Sequence, residues 1–326
     1  MPAVHLQLVK NANTIKAALP FSNVLVIDAR FDTLCVGFTK GTMSSKHRII
    51  FETTASNEIK NYITKNYVLR PEGDSSYRLV ILLEKFWVSS SIETGKEDGP
   101  GMQTISRGFI IKANLLAEVN GLYHPLYRID SAFLTNLDTD GNNVYTIVER
   151  SIDKMLDKIV DKKASELKIS RKSLTDNDIN NYISQKLSLP ILTCTSYNKG
   201  VYNTFDEFKN NNPSTTDFEV GKNSKTDALY VKDGAGGSYL LKNFWGYSDG
   251  KKIYINSGNN FFQLIREGNT FNIYGFKSFK KSSRPNIAGT ILEDVLIFPG
   301  IGEMSTASYS SKRNPLQVDM ETGELF

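Results

Sequence analysis

The chain has 326 residues, 40% hydrophobic, 23% charged and 11% aromatic, which at roughly 100–200 residues per domain predicts two ordinary globular domains. The net charge of +4 falls in residues 1–199, with 25 basic against 21 acidic side chains, while residues 200–326 carry 14 of each; neither half has the basic excess of a nucleic-acid binder. No apolar run approaches the ~20 residues of a membrane-spanning helix.

The N-terminus is interrupted by His5, Gln7, Lys10, Asn11 and Asn13 and so does not read as a signal peptide. Either the chain is cytoplasmic or Met1 stands where a leader has been removed. Val24–Ile27 is a short apolar run that predicts a strand covered on both faces, followed by a second strand near Cys35–Thr39. Ile59, Tyr62, Ile63 and Tyr67 follow helical spacing, so 55–67 reads as a helix, with Thr53 or Thr54 as its cap. Tyr77–Ser89 reads as a central strand, because Leu79–Leu83 is apolar on both faces. A long hairpin follows, centred on Asn120-Gly121. Its apolar positions are odd in both arms (Ile105, Phe109, Ile111, Ala113, Leu115 and Ala117, then Tyr123, Tyr127, Ile129 and Phe133). Odd must therefore pair with odd, which predicts a three-residue loop, Val119-Asn120-Gly121, with Gly121 left-handed and Ile111 opposite Ile129. Pro125 marks this arm as an edge strand or the site of a bulge. Thr146 and Glu149 form a capping box for a helix reaching about Lys162, with Val148, Ile152, Met155, Leu156, Ile159 and Val160 on one stripe. Residues 163–174 are polar and loop-like. A further amphipathic helix over Asp176–Leu187 carries Ile179, Tyr182, Ile183 and Leu187, and Pro190 closes the region.

The remaining chain changes character. Thr204 and Glu207 open one short helix over Phe205 and Phe208, which Asn210-Asn211-Asn212-Pro213 stops. Turn signals then recur at Gly234–Gly237, Ser248–Gly250, Ser257–Asn260 and Glu267–Asn269, with aromatic or β-branched runs between them. The expected fold is thus an α+β half, with a mixed or antiparallel sheet and two helices, followed by a mainly antiparallel β-meander or small open barrel. The expected domains are residues 1–162 and 196–326, joined by a helical connection, 163–195. Residues 299–326, rich in Gly, Ser and Pro, are expected to be partly mobile.

Catalytic chemistry is hard to find. Cys35 and Cys194 show no metal or redox spacing; they read as small buried hydrophobes, with a disulfide between the halves as the alternative in an oxidising compartment. His5, His47 and His124 belong to no metal-ligand motif, and in the predicted register His124 lies on the polar face with Arg128 and Asp130. Asn136, Asp138, Asp140 and Gly141 match positions 1, 3, 5 and 6 of a calcium loop, but position 12 is Ile147 where a bidentate carboxylate is needed. Gly246–Lys251 lacks the spacing and the following helix of a phosphate loop. Asp28 and Arg30 share one face at a strand end and read as a local ion pair, worth little if exposed. Glu293 and Asp294 point to opposite faces if extended. No cofactor is implied. Two groups remain as candidates. Lys277, Lys280, Lys281 and Arg284, interleaved with Phe276 and Phe279, could track phosphates or simply guard a hydrophobic strand. Trp245, Tyr247 and Tyr254, with Phe261, Phe262 and Tyr274, could line a sugar or peptide groove or simply form core.

The tract Trp245–Ile255, preceded by Tyr202–Phe208 and Asn212-Pro213-Ser214 and closed by Asp319–Glu324, resembles uncharacterised exported proteins common in Bacteroidetes, over most of residues 198–326. Residues 22–162, with Asp28-Ala29-Arg30 after a strand and then Gly37, resemble small bacterial outer-membrane lipoproteins. The resemblance implies an exported precursor, located in the periplasm or at the outer-membrane surface, with a lipid anchor on the native precursor as one option. It supplies no catalytic residues. The expected role is therefore binding or assembly with an envelope protein or a glycan. Two alternatives stand beside it: a carboxylate-based hydrolase of cell-surface or glycan substrates using Asp138, Asp140, Asp249 or Glu267, and nucleic-acid binding through Lys277–Arg284, which the charge balance disfavours.

Overall fold

A computed structural model describes residues 3–8, 15–40, 46–70, 77–94, 103–136, 144–223, 226–234, 236–257, 260–274 and 316–325. The chain divides into two compact units, Met1–Ser184 and Gln185–Phe326. The first is α+β and the second is strand-rich.

In chain order the first unit contains β1 (Ala3–Leu6), β2 (Ala17–Leu19), β3 (Asn23–Asp28), β4 (Gly37–Lys40), β5 (Lys46–Phe51), α1 (Ala55–Asn66) and β6 (Tyr67–Leu69). There follow β7 (Arg78–Thr94), β8 (Gln103–Val119), β9 (Leu122–Asn136) and α2 (Val144–Leu156), and α3 (Asp176–Leu187) leads out of the unit. Seven strands form one sheet, in the order β1-β5-β4-β7-β8-β9, with β3 also on β7. β7 is central, as its doubly apolar middle requires. Two short parallel strands lie end to end along one side of it: β3 pairs with Arg78–Leu83, and β4 with Val88 and Ser89. Arg30 seals the join. It is 3% exposed, grips Asp28 through two 2.8 Å bonds and donates to the Cys35 carbonyl at 3.4 Å. The ion pair expected from sequence is therefore buried and bidentate, which is the stronger geometry. Gly37 is required beside it, because a Cβ there would lie 1.8 Å from the Val88 carbonyl oxygen.

The hairpin corrects the predicted register. Val119 pairs with Leu122, so the turn has two residues, Asn120 and Gly121, with φ of 51° and 77°. Both are left-handed, as a type I′ turn demands. Odd still pairs with odd further out, but through a bulge: Leu116 faces Pro125 and Leu115 faces Tyr127, leaving Leu126 as the extra residue. Ile129 consequently faces Ala113, and Ile111 faces Ser131. The bulge also reverses the faces of the first residues of β9. Tyr123 belongs to the small cluster with Leu116, Val80 and Leu82. His124, opposite Ala117, lies on the other side from Arg128 and Asp130. β9 is an edge strand, which suits Pro125.

The main core lies between one sheet face and the two helices α1 and α2. Thr54 caps α1, accepting from the Asn57 N–H at 3.2 Å. α2 begins before Thr146 and ends at Leu156, so Thr146 is a helix-interior residue, not a cap. The predicted stripe nevertheless buries Val148, Ile152, Met155, Leu156 and Ile159. The second face is covered by α3 through Ile179 and Ile183.

The second unit contains α4 (Pro190–Thr193), which Pro190 opens instead of ending a segment, then β10 (Gly200–Tyr202) and α5 (Phe205–Lys209). Three strands follow, β11 (Phe218–Asn223), β12 (Thr226–Lys232) and β13 (Ser238–Leu241), forming an antiparallel sheet. β14 (Gly246–Ser248), β15 (Ile253–Ser257), β16 (Asn260–Glu267), β17 (Thr270–Ile273) and β18 (Leu316–Gln317) join β10 in a six-stranded antiparallel sheet in the order β10-β14-β15-β16-β17-β18. Neither sheet closes into a barrel. Residues 316–325, expected within a partly mobile tail, instead form a strand and a turn.

Candidate functional site

The β11–β13 sheet has one apolar face. Its register aligns Phe218 with Val231 and Tyr239, and Val220 with Leu229 and Leu241. Leu229 and Val231 pack with Val201, Phe244 and Tyr247, and Phe218, Leu241, Tyr254 and Phe261 surround them. Tyr247 stacks on Tyr254 at 4.8 Å and 14° between planes, and meets Phe218 and Phe261 edge-on. Burial pushes both phenols above their ordinary pKa; neighbouring Tyr254, Asp227 and Asp249 add to this for Tyr247, and Asp249 for Tyr254. Both therefore stay protonated and act as packing groups with a polar tip. At the rim of the same face Val220 is 47% exposed and Tyr239 53% exposed. The sequence reading missed these two. Their signal was the alternation in Phe218–Val220 and Tyr239–Leu241 on either side of the Gly234–Gly237 turn.

Trp245 lies apart from the tyrosine pair. It packs on Phe208 at 4.2 Å and Phe205 at 5.4 Å, and its Nε1–H donates to the Gly323 carbonyl at 3.4 Å. Tyr202, Phe208 and Phe271 continue this second cluster. Thr204 caps α5 by accepting from the Glu207 N–H at 3.2 Å, while the Glu207 carboxylate accepts from the Asn203 N–H and the Ser214 hydroxyl. The tracts 202–208, 212–214, 245 and 319–324 thus converge on one packed knot that holds the unit together. Lys277, Lys280, Lys281, Arg284, Asp138, Asp140, Glu293 and Asp294 lie outside the described residues, as does the calcium-like loop beyond Asn136. Asp249 accepts from the Lys251 and Lys252 N–H groups of its own turn, and Glu267 accepts from Asn272 and Tyr274. Each of these carboxylates is engaged within its own hairpin.

The first unit holds two polar clusters. Asp153 on α2 accepts from Tyr62 at 2.8 Å, Tyr67 at 2.7 Å and Lys16 at 2.5 Å. Burial, and then the bond to Asp153, pushes both phenols far up, so they are donors and not bases. Glu149, one turn earlier, is raised by burial, with Lys16 opposing and Asp153 adding. On the second sheet face the buried Glu84 sits at a bulge in β7, accepting from Asn114 at 2.7 Å and Tyr182 at 2.9 Å, with Lys112 at 3.7 Å. His124 Nδ1 lies 3.1 Å from the Ser170 carbonyl. Cys35 and Cys194 are both free. The Cys35 thiol is pushed up to about 12 by burial and by Asp32, which makes it a poor nucleophile. Among the described residues no group of three His, Cys, Asp or Glu side chains is placed to hold a metal, and no helix is long and apolar enough to cross a membrane.

Residues 200–326 match a family of unknown function (DUF6563). No curated protein matches the chain. Among solved structures, the chain is similar to an uncharacterised protein at 11% identity, over 49% of this chain and 97% of that one, with a TM-score of 0.27. It is also similar to protein XCC0632 from Xanthomonas campestris, of family DUF330, at 12% identity, over 48% and 89% of the two chains, with a TM-score of 0.25.

Proposed function

We propose that this chain is an exported cell-envelope protein that binds or helps to assemble another envelope component, and that its contact surface is the rim of the β11–β13 sheet. One observation carries this reading: the face that buries Leu229 and Val231 leaves Val220 and Tyr239 about half exposed. Val220 and Tyr239 stand on the two outer strands of this face, with the buried Leu229 and Val231 between them, and tyrosine is favoured at contact surfaces because it offers a large rigid surface with a polar tip. β11 and β13 are the edge strands of their sheet, where an incoming extended segment adds by main-chain pairing. Lys232 and Glu219, paired at 2.8 Å across β11 and β12, supply polar contacts on the opposite face. The envelope location is supported by the resemblance of residues 198–326 to exported proteins.

Fractionation of cells carrying the native gene, with protease shaving of intact cells, tests the location; recovery from the cytosol alone would end it. The surface is tested by Val220→Asp and Tyr239→Asp in the full chain. Both should keep the wild-type melting temperature and lose chemical cross-links to envelope components. Unchanged cross-linking would overturn the assignment.

A further inference from the structure

Between α2 and α3 the first unit carries a basic loop on its edge strand. Residues 162–172 hold Lys162, Lys163, Lys168, Arg171 and Lys172 against one acid, Glu166, a surplus equal to the whole chain's net charge of +4. Everything outside the loop is therefore balanced. The sequence turns these cations outward by alternation: Leu167 is buried in the main core and Ile169 packs against it, while Lys163, Lys168, Arg171 and Lys172 are exposed. The backbone is pinned along β9. The Ser170 N–H donates to the Pro125 carbonyl at 3.0 Å, and Tyr123 and Leu174 exchange two N–H to carbonyl bonds of 2.8 Å. Lys162 is engaged by the Tyr127 hydroxyl. Among the described residues the other four cations form no ion pair. The acids nearest in sequence are bound to other groups: Asp161 accepts from the Ala18 N–H, Glu166 from the Lys163 N–H, Asp176 from the Tyr123 hydroxyl, and Asp178 from the Thr175 N–H and hydroxyl. Beside the loop stand two exposed leucines. Leu122 opens β9 and is 39% exposed; Leu174, bridged to Tyr123, is 37% exposed.

We propose that this loop and the two leucines form a surface that settles on an anionic lipid bilayer. Cations gathered without acids repel one another in the free chain and gain from a surface of opposite sign. Clusters of about four to eight Lys and Arg are drawn to anionic headgroups, and apolar side chains beside them enter the boundary between headgroups and acyl chains. The pinned backbone leaves little ordering to be done on binding. A dissolved polyanion such as a nucleic acid would use the cations but leave Leu122 and Leu174 without a partner, so the bilayer is the better fit. This surface is separate from Val220 and Tyr239 and does not rest on the reading proposed for them.

The test sediments the full chain with vesicles of equal parts phosphatidylcholine and phosphatidylglycerol, and with vesicles of phosphatidylcholine alone, over a range of salt. Binding to the mixed vesicles that weakens with salt, and none to the neutral ones, is expected. Lys168→Gln/Arg171→Gln/Lys172→Gln should weaken it roughly fivefold per cation removed, on the order of a hundredfold in all. Arg171→Gln/Lys172→Gln should give a smaller loss, and serves if the triple variant folds poorly. Lys65→Gln/Lys251→Gln/Lys252→Gln has the same net charge as the triple variant and should bind nearly as the unmodified chain does. Leu122→Ser/Leu174→Ser should weaken binding but keep its salt dependence. Melting curves confirm that each variant is folded. Equal losses from the two lysine-rich triples, or no binding to the mixed vesicles, would overturn the proposal. Retention on duplex DNA without sedimentation on vesicles would overturn it in favour of a polyanion. Tyr239→Asp should sediment as the unmodified chain does, which separates this outcome from failure of the β11–β13 surface.

Discussion

The Asp153 junction in the first unit and the β11–β13 sheet in the second place polar and apolar groups in opposite ways. At the junction one carboxylate gathers Lys16, Tyr62 and Tyr67 from sequence separations of 137, 91 and 86 residues, and the apolar groups around it are buried. At the sheet the charged contact is between neighbouring strands and exposed, Glu219 with Lys232, while Val220 and Tyr239 face water. Long-range polar contacts in a part-buried setting such as this one serve the architecture, because an unmatched donor that is shielded from water costs more than the bond contributes. Exposed apolar side chains on a formed sheet are surface left over once the fold is made, and it is this surface that the proposed function assigns to a partner.

The first unit's core is the part of the molecule most sensitive to substitution. Ile152→Ala, beneath the junction, should destabilise by ~2–5 kcal/mol through lost burial and the cavity left behind, read as a lower urea midpoint. Asp153→Ala strands two part-buried phenols and should cost about 1–3 kcal/mol; Tyr67→Phe, which removes only one donor, should cost less. The pH dependence sharpens the point. Glu149 is raised in the folded chain by burial first, against the pull of Lys16. The folded chain therefore holds this proton to higher pH than the unfolded chain. Its contribution is present below the ordinary glutamate range and is lost as pH rises through the raised value. Glu149→Gln should flatten that slope and modestly raise the neutral-pH melting temperature.

Periodicity made the junction's elements legible but not the junction itself. Ile59, Tyr62 and Ile63 give the α1 face from spacing alone, and Val148, Ile152 and Met155 give that of α2; Tyr67, read with the helix, is instead extended and opens β6. That Tyr62 and Tyr67 share Asp153 is a tertiary fact with no local signal. The hairpin shows the same limit. The parity of its apolar residues required odd to face odd, and that holds from Tyr127 outward. Beyond the bulge a three-residue loop and a two-residue turn plus bulge satisfy the parity equally, and only Tyr123, on the near side, tells them apart; Pro125 marked the place where the bulge occurs. The misassigned cap at Thr146 has a similar origin: a Thr-x-x-Glu spacing inside a helix looks the same as one at its start. In the second unit the turn signals located the strands, while the exposed rim escaped because Val220 and Tyr239 look like ordinary strand residues until their neighbours are known.

The smallest expected effect on stability is the sharpest test of the comparison. Tyr239→Ser removes a ring already 53% exposed, and surface changes of this kind usually stay within about ±0.5 kcal/mol. If the β11–β13 rim is left over from folding, the melting temperature should hardly move while cross-linking to envelope components falls. Tyr247→Ser, on β14 and buried against that face beside Tyr254, Phe218 and Phe261, should do the reverse in order of cause: it should lower stability by ~3 kcal/mol or more, as large-to-small core changes do, and lose binding only as the sheet itself is lost. Equal destabilisation by the two substitutions would mean that Tyr239 belongs to the core after all, and the rim would then have no surface left to offer a partner.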